Sequence, residues 1–279
     1  MSSSDTTDPS FDHLLTYIEN SLAFQTSSYN DAYLDRRISA RMRRRRVDDY
    51  ETYEELLRDE DDEQQALLDA LSVNVTSFFR NPDVWESLRD VLRDLSANGT
   101  RHDPIKVWSA ACSDGREAYS LAMLAHDDPH VDERRIEIVG TDIKREILRA
   151  ARKGEYQASE TNHLDEQLEP IGDWQRFVDV DDDIYRVKDE LRDMVRFSRR
   201  DLIREDPPGT FDLVVCRNLF IYINAESKRA VFETLGSALN TDGYLTIGMT
   251  ETIPPRCRVQ FEPVDKRLRI YRTSDDEQR

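Results

Sequence analysis

Between Phe11 and Leu95 the apolar residues recur at helical spacing. Phe11, Leu14, Leu15 and Ile18 fall on one face of a first helix, because residues three and four apart stack on the same side. Leu34, Ile38 and Met42 form the stripe of a second helix. Tyr50, Tyr53, Leu56 and Leu57 mark a third, and Leu67, Leu68 and Leu71 a fourth. Asn81-Pro82 reads as a helix start, a cap followed by proline in the first turn. Trp85, Leu88, Leu92 and Leu95 then line one face, and Ser96-Ala97-Asn98-Gly99-Thr100 ends that helix and marks a boundary.

From Ile105 the pattern changes to strands alternating with helices. Strands are predicted over Ile105–Ala110, Ile136–Gly140, Met194–Phe197, Phe211–Cys216, Tyr244–Gly248, Arg258–Glu262 and Leu268–Tyr271. Helices fall near Gly115–Ala125, Lys144–Ala151 and Ala225–Leu239. Such alternation predicts a doubly wound α/β domain with a mostly parallel seven-stranded sheet, preceded by an all-α domain. The last two strands follow one another without a helix, which predicts an antiparallel edge. Acidic turns over Asp179–Asp183 and the β-prone run Ile184-Tyr185-Arg186-Val187 interrupt the alternation, predicting a small β insertion at about 154–192. The expected domains are 11–98 and 99–275.

Composition narrows the function classes. The 279 residues carry a formal charge of −18, which argues against a nucleic-acid partner, since that needs a basic footprint. Arginine is plentiful, whereas Lys106, Lys144, Lys153, Lys188, Lys228 and Lys266 are the only lysines. An acidic, lysine-poor surface suits a protein kept soluble in concentrated salt, where the Debye length shrinks to about 3 Å at 1 M. An ordinary acidic cytosolic surface is the alternative. No apolar run reaches the roughly 20 residues that span a bilayer, and the polar start lacks a signal-peptide core, so a cytoplasmic location is expected. Cys112, Cys216 and Cys257 form neither a CxxC site nor a disulfide framework. The histidines are scattered without metal-ligand spacing, so no metal is expected.

Two polar clusters lie inside apolar runs, Asn74-Val75-Thr76-Ser77-Phe78-Phe79-Arg80 and Cys216-Arg217-Asn218-Leu219-Phe220-Ile221-Tyr222. Polar groups seldom sit beside residues that must be buried unless something polar meets them there. Between the clusters, Val107–Ser120 reads as a strand, a loop with Gly115, and a helix. Open parallel sheets bind ligands beyond the carboxyl ends of their strands, where strand order reverses. The Ala111–Glu117 loop and Thr141-Asp142 occupy such ends. Alone, a loop with one glycine is equally a routine turn, and Asp142 reads first as a cap for the helix from Lys144.

Together these segments resemble the CheR family, S-adenosyl-L-methionine-dependent methyltransferases that esterify glutamates of chemotaxis receptors. The resemblance runs from about Phe11 to Tyr271. It implies S-adenosyl-L-methionine as cofactor, S-adenosyl-L-homocysteine as product, and the cytoplasmic helices of a chemoreceptor as partner of a monomeric enzyme. It further implies cofactor binding by Asn74, Thr76 and Arg80, and by Glu117 at the methionyl ammonium. Asp142 is assigned to the ribose hydroxyls, Asp201 and Leu202 to the adenine, and Arg217 and Asn218 to backbone and cofactor polar groups. Arg80 and Tyr222 are the catalytic candidates, Tyr222 facing the sulfonium; a core tyrosine is the alternative. Four positions depart from the family pattern. Arg116 replaces the first of two glutamates after the glycine, Asp201 replaces asparagine, and Met249-Thr250 replaces His-Ser before Glu251.

The implied reaction needs no nucleophile from the enzyme. A glutamate carboxylate, with an unperturbed pKa of about 4.3, is already ionised, and the sulfonium methyl is already activated. Alignment alone can supply roughly 7–11 kcal/mol. The absence of a Ser-His-Asp or Cys-His set is therefore expected. An acidic receptor would need a local basic surface. Arg37, Arg41 and Arg44 form a stripe beside Leu34-Ile38-Met42 and are the predicted docking residues, together with the β insertion; a solvated, salt-bridged face is the alternative. The rival functions are a methyltransferase acting on another substrate and a receptor-binding, cofactor-sensing module without turnover.

Overall fold

The computed structural model describes residues 8–22, 24–71, 76–98 and 103–273. The chain divides into two units, one of residues 1–74 with 222–227, the other of 75–221 with 228–279. In the first, α1 (Pro9–Ser21), α2 (Asp31–Arg45), α3 (Tyr50–Asp59) and α4 (Asp61–Leu71) follow one another. Asp8 and Asp49 cap α1 and α3 by accepting the amides of Ser10 and Thr52. The predicted stripes meet in one core of Phe11, Leu14, Ile18, Leu34, Ile38, Met42, Tyr53, Leu57, Leu67 and Leu71. The segment Tyr222–Ser227 belongs to this unit. The Asn30 amide donates to the Tyr222 carbonyl at 2.9 Å, and the Asn224 side-chain amide donates to the Ser27 carbonyl at 2.6 Å.

The arginines of α2 do not form the predicted docking stripe. Arg41 donates from Nε and Nη2 to the buried carboxylate of Glu63 at 3.0 and 2.6 Å, joined by Arg45 at 3.1 Å and the Tyr53 hydroxyl at 2.7 Å. Only 15% of the Arg41 side chain is exposed. A guanidinium held this way is committed to the fold. Arg37 is half-buried, its guanidinium 5.7 Å from the centre of the Tyr33 ring. Of the three, Arg44 is exposed, and so are Arg36 and Arg43.

The second unit opens with α5 (Pro82–Asn98). This helix lies outside the helical unit, contrary to the expected boundary at residue 98. Its Trp85, Leu88, Val91 and Leu92 share a core with the strands and with Tyr119, Leu121 and Leu124. Asn81 is no ordinary cap either. It has φ 60°, and its side chain is taken by Arg217.

Then come β1 (Ile105–Ala110), α6 (Arg116–Asp127), β2 (Ile136–Asp142), α7 (Arg145–Lys153), β3 (Glu155–Gln157), α8 (Leu164–Leu168), β4 (Val178–Asp181), β5 (Ile184–Val187), α9 (Asp189–Arg192), β6 (Val195–Arg199), β7 (Phe211–Cys216), α10 (Ala225–Ser237), β8 (Leu239–Ile247), β9 (Phe261–Asp265) and β10 (Ile270–Thr273). The large sheet has the order β6-β2-β1-β7-β8-β10-β9. Its first five strands are parallel, and β10 pairs antiparallel with both β8 and β9. The runs Val107–Ala110 and Leu213–Cys216 are continuously buried, as central strands covered on both faces must be.

The β insertion is the antiparallel sheet β3-β5-β4. Its Asp182-Asp183 hairpin turn places Asp182 at φ 53°. One strand prediction is displaced: Pro255–Gln260 forms a 3₁₀ turn started by Pro254-Pro255, and β9 begins only at Phe261. Proline presets the turn and cannot donate to a ladder. Among the described residues no helix is long and apolar enough to cross a membrane.

Candidate active site

β2 and β7 flank β1 on opposite sides, so strand order reverses there and a crevice opens beyond their carboxyl ends. The loop after β1 turns into it through a run of left-handed residues, Ala111 at φ 62°, Ser113 at 54° and Gly115 at 90°. Such conformations are costly for residues with a Cβ and tend to collect at functional sites. Gly115 is also dictated by space, since a Cβ there would lie 2.9 Å from Cβ of Ala151 and 3.0 Å from Cζ of Phe197. Gly140 is shut in similarly, 2.7 Å from the Phe197 ring.

Asp142 ends β2 and fastens this loop. One carboxylate oxygen accepts the Ser113 amide at 3.0 Å and the other the Lys144 amide at 3.1 Å. Part of the capping alternative is thus realised. Each oxygen keeps a further lone pair for a ligand hydroxyl. Burial pushes the Asp142 pKa up, while these two amides act against it.

Glu117 lies one residue into α6 and is nearly enclosed. It accepts the Ser109 hydroxyl at 2.8 Å and faces Nη1 of Arg217 at 3.7 Å. Burial raises its pKa to about 7, with Arg217, Ser109 and Arg80 pulling the other way. Arg217 donates from Nη2 to the Arg80 carbonyl at 2.8 Å and to Oδ1 of Asn81 at 2.9 Å, beside the Trp85 ring. Trp85 Nε1 donates to the same carbonyl at 3.0 Å. Arg217 therefore ties the segment carrying Arg80 to Glu117. Its own Nε, and Oγ of Ser113, are buried without a hydrogen-bond partner among the described residues.

The loop after β7 is pinned by Glu251. This carboxylate is only 3% exposed, and accepts the amides of Gly248 at 2.6 Å, Phe220 at 2.7 Å and Asn218 at 3.1 Å. Asn218 is thereby held at φ 60°. Glu251, Asn81, Trp85 and Ser109 are site residues that sequence reasoning missed. Glu251 did stand in a distinctive Gly-Met-Thr-Glu run, but besides Gly248 of that run its partners, Asn218 and Phe220, come from another strand end.

The remaining predicted residues fall as follows. Asp201 accepts the Ile203 amide at 3.0 Å and so caps its own turn, and Leu202 is buried beside it in the chain. Thr76 is half-buried, and Asn74 lies outside the described residues. Tyr222 is placed in the helical unit, its ring 5.1 Å from that of Tyr33. Among the described residues no group of His, Cys, Asp and Glu could hold a metal ion.

Comparison with known proteins decides the family. The sequence model of the CheR methyltransferase all-alpha domain matches residues 9–72, and that of the CheR SAM-binding domain matches residues 74–270. The chain belongs to the CheR methyltransferase family. The junction between the two CheR matches coincides with the division into units. A chemotaxis protein methyltransferase of Listeria monocytogenes is 33% identical over 241 residues, covering 85% of this chain and 87% of the relative. That of Salmonella typhimurium is 32% identical, covering 77% and 74%. A chemotaxis protein methyltransferase 2 of Vibrio cholerae is 34% identical, covering 69% and 67%.

The cofactor of a CheR SAM-binding domain is S-adenosyl-L-methionine, and the crevice fits it. A buried carboxylate, two nearby arginines, an acid with free lone pairs at the end of β2, and unpartnered buried Ser113 and Arg217 atoms match the ammonium, carboxylate and ribose of such a ligand.

Proposed function

We propose that this methyltransferase esterifies glutamate side chains on the cytoplasmic helices of chemoreceptors, releasing S-adenosyl-L-homocysteine. The observation that carries this reading is the cluster of Glu117, Arg217 and the Arg80 segment beside Asp142 at the strand-order reversal. It stands in a chain whose relatives are named chemotaxis protein methyltransferases. Glu117 takes the methionyl ammonium, Asp142 the ribose, and Arg80 the methionyl carboxylate or the incoming glutamate. Asn218, Thr76, Asn74 and Leu202 complete the cofactor's surroundings. Asp201 contributes through its turn.

S-adenosyl-L-methionine supplies an activated methyl group, so the protein has only to orient the acceptor and exclude water. Arg217 preorganises this arrangement by holding the Arg80 carbonyl and Asn81 in place. Tyr222 is the catalytic candidate in the helical unit. The exposed Arg36, Arg43 and Arg44 of α2, with the β insertion, supply docking surfaces for an acidic receptor helix, whereas Arg41 serves Glu63.

Transfer of a labelled methyl group from S-adenosyl-L-methionine to a purified chemoreceptor, released by mild base, tests the proposal. A base-stable product would mean another acceptor atom. Normal cofactor binding without transfer would make the protein a cofactor-sensing, receptor-binding module. Tyr222→Phe is expected to leave S-adenosyl-L-homocysteine affinity within about twofold and to lower transfer clearly. Equal losses in both would move Tyr222 from chemistry to binding.

A further inference from the structure

Arg116 stands where the resemblance implies glutamate, and its surroundings use the arginine. Its side chain is 14% exposed. Nε and Nη2 both donate to Oδ2 of Asp114, at 3.0 and 2.8 Å, and Nε reaches Oδ1 at 3.3 Å, charge-assisted bonds of the stronger kind. Nη1 donates to Oδ1 of Asn162 at 3.2 Å and Oε1 of Gln167 at 3.1 Å. Those two amides are themselves joined, Gln167 Nε2 donating to Asn162 Oδ1 at 2.9 Å. The guanidinium also lies over the ring of Tyr156, whose hydroxyl donates to the Asp114 carbonyl at 2.8 Å. Tyr156, Asn162 and Gln167 belong to the stretch that carries the β insertion.

The same network reaches the Phe78–Arg80 segment twice. The Phe78 amide donates to Oε1 of Gln167 at 3.1 Å. The Phe79 amide donates to Oγ of Ser120 at 3.1 Å, and that hydroxyl donates to the Arg116 carbonyl at 2.7 Å. A glutamate at position 116 offers no donor to Asn162 Oδ1 and Gln167 Oε1. It would also face Asp114 with like charge. Turning the Gln167 amide to suit a glutamate would deprive the Phe78 amide of its acceptor, and a donor left unpaired away from water costs more than the bond itself contributes.

We infer that Arg116 is a positioning residue that fastens the cofactor loop to the β insertion and to the Phe78–Arg80 segment, so that a change at the insertion alters cofactor affinity. The inference rests on Ala111–Glu117 being the cofactor loop. The Arg116 side chain acts through Asp114, Asn162 and Gln167, and its backbone carbonyl reaches Ser120 whatever the side chain. The insertion and the cofactor loop are then mechanically one element, joined at Arg116.

The full-length protein and its Arg116→Ala, Arg116→Lys, Asn162→Ala and Arg116→Ala/Asn162→Ala variants are compared by calorimetric titration with S-adenosyl-L-homocysteine. Amide hydrogen exchange is followed in the ligand-free proteins. Arg116→Ala is expected to weaken binding about tenfold, the size of one to two net hydrogen bonds, and to speed exchange at Gly115, Glu117 and Phe78. Lysine, which keeps the charge and loses the fork, should recover part of the affinity. The double variant should lose less affinity than the two single losses added together, because part of the Asn162 contribution runs through Arg116 and part through Gln167. Unchanged affinity and exchange in Arg116→Ala, or strictly additive losses in the double variant, overturn the inference. If Arg116→Ala does not fold, Asn162→Ala decides alone, with unchanged exchange at Gly115 counting against the coupling. If the unaltered protein fails to bind S-adenosyl-L-homocysteine, the cofactor-loop reading falls, and the exchange comparison still decides whether the insertion and the loop are coupled.

Discussion

Glu117 combines burial with a function that requires charge. With its pKa raised to about 7, it is largely neutral in the ligand-free protein below that pH, yet an ammonium partner favours the ionised form. Affinity for S-adenosyl-L-homocysteine should therefore rise with pH, approaching tenfold per unit well below pH 7 and levelling above it. Glu117→Gln should bind weakly and lose most of this dependence, and a slope that survives in the variant would assign it to another group. The sign for stability is opposite. The folded protein retains a proton that the unfolded chain sheds near pH 4.3, so stability of the ligand-free form falls as pH rises from there to about 7. Asp142, also raised by burial, adds in the same direction. Asp142→Ala removes acceptors for the ribose and for the Ser113 and Lys144 amides. A loss of at least about tenfold in S-adenosyl-L-homocysteine affinity is expected, one to two net hydrogen bonds' worth, with the fold retained by circular dichroism. Unchanged affinity would leave Asp142 as a loop fastener alone.

At the scale of elements, α2 divides its arginines between two tasks. Arg41 and Arg45 turn toward Glu63, while Arg36, Arg43 and Arg44 face solvent. Burial alone would raise the Glu63 pKa, and the hydrogen bonds from Arg41, Tyr53 and Arg45 outweigh it and hold the carboxyl below the usual range. Its stabilisation is present above the unfolded pKa of about 4.3 and is lost as pH falls through the lowered folded value. Glu63→Ala strands the Arg41 guanidinium and the buried Tyr53 hydroxyl, while Arg45 keeps Glu60, and should cost about 3 kcal/mol in chemical denaturation; a loss below about 1 kcal/mol would place the pair among weak surface bridges. Charge reversal at Arg36, Arg43 and Arg44 should instead spare stability and cofactor binding and impair receptor methylation. Normal methylation by that triple variant would remove α2 from the docking surface.

For the molecule as a whole, the charge of −18 sets a repulsion that every folded state must overcome. Added salt screens it. The melting temperature should climb between roughly 0.1 and 2 M KCl, where the Debye length falls from about 10 Å to under 3 Å. A flat or falling profile would make the acidic surface an ordinary one.

Periodicity alone carried the four helices of the first unit, the alternating strands and helices after Ile105 and the inserted hairpin, because local spacing and turn chemistry dictate which face of an element is apolar. The loop after β1, Asp142 and Arg217-Asn218 were legible as polar groups at strand ends, where the structure has them at the ends of β1, β2 and β7, whereas their roles were implied by the family resemblance. Contacts remote in the chain were not legible. Whether α5 packs on the sheet or with the helices depends on which partner covers Trp85 and Leu88. Whether an arginine of α2 meets solvent or Glu63 turns on the approach of α4. Tyr222 joined Tyr33, and Glu251 found the Asn218 and Phe220 amides of the loop after β7, only once the strands were ordered. Local order along the chain specifies elements and the chemistry they carry. Partners are chosen by the fold, because burial and hydrogen-bond satisfaction are properties of surfaces brought together from distant parts of the chain.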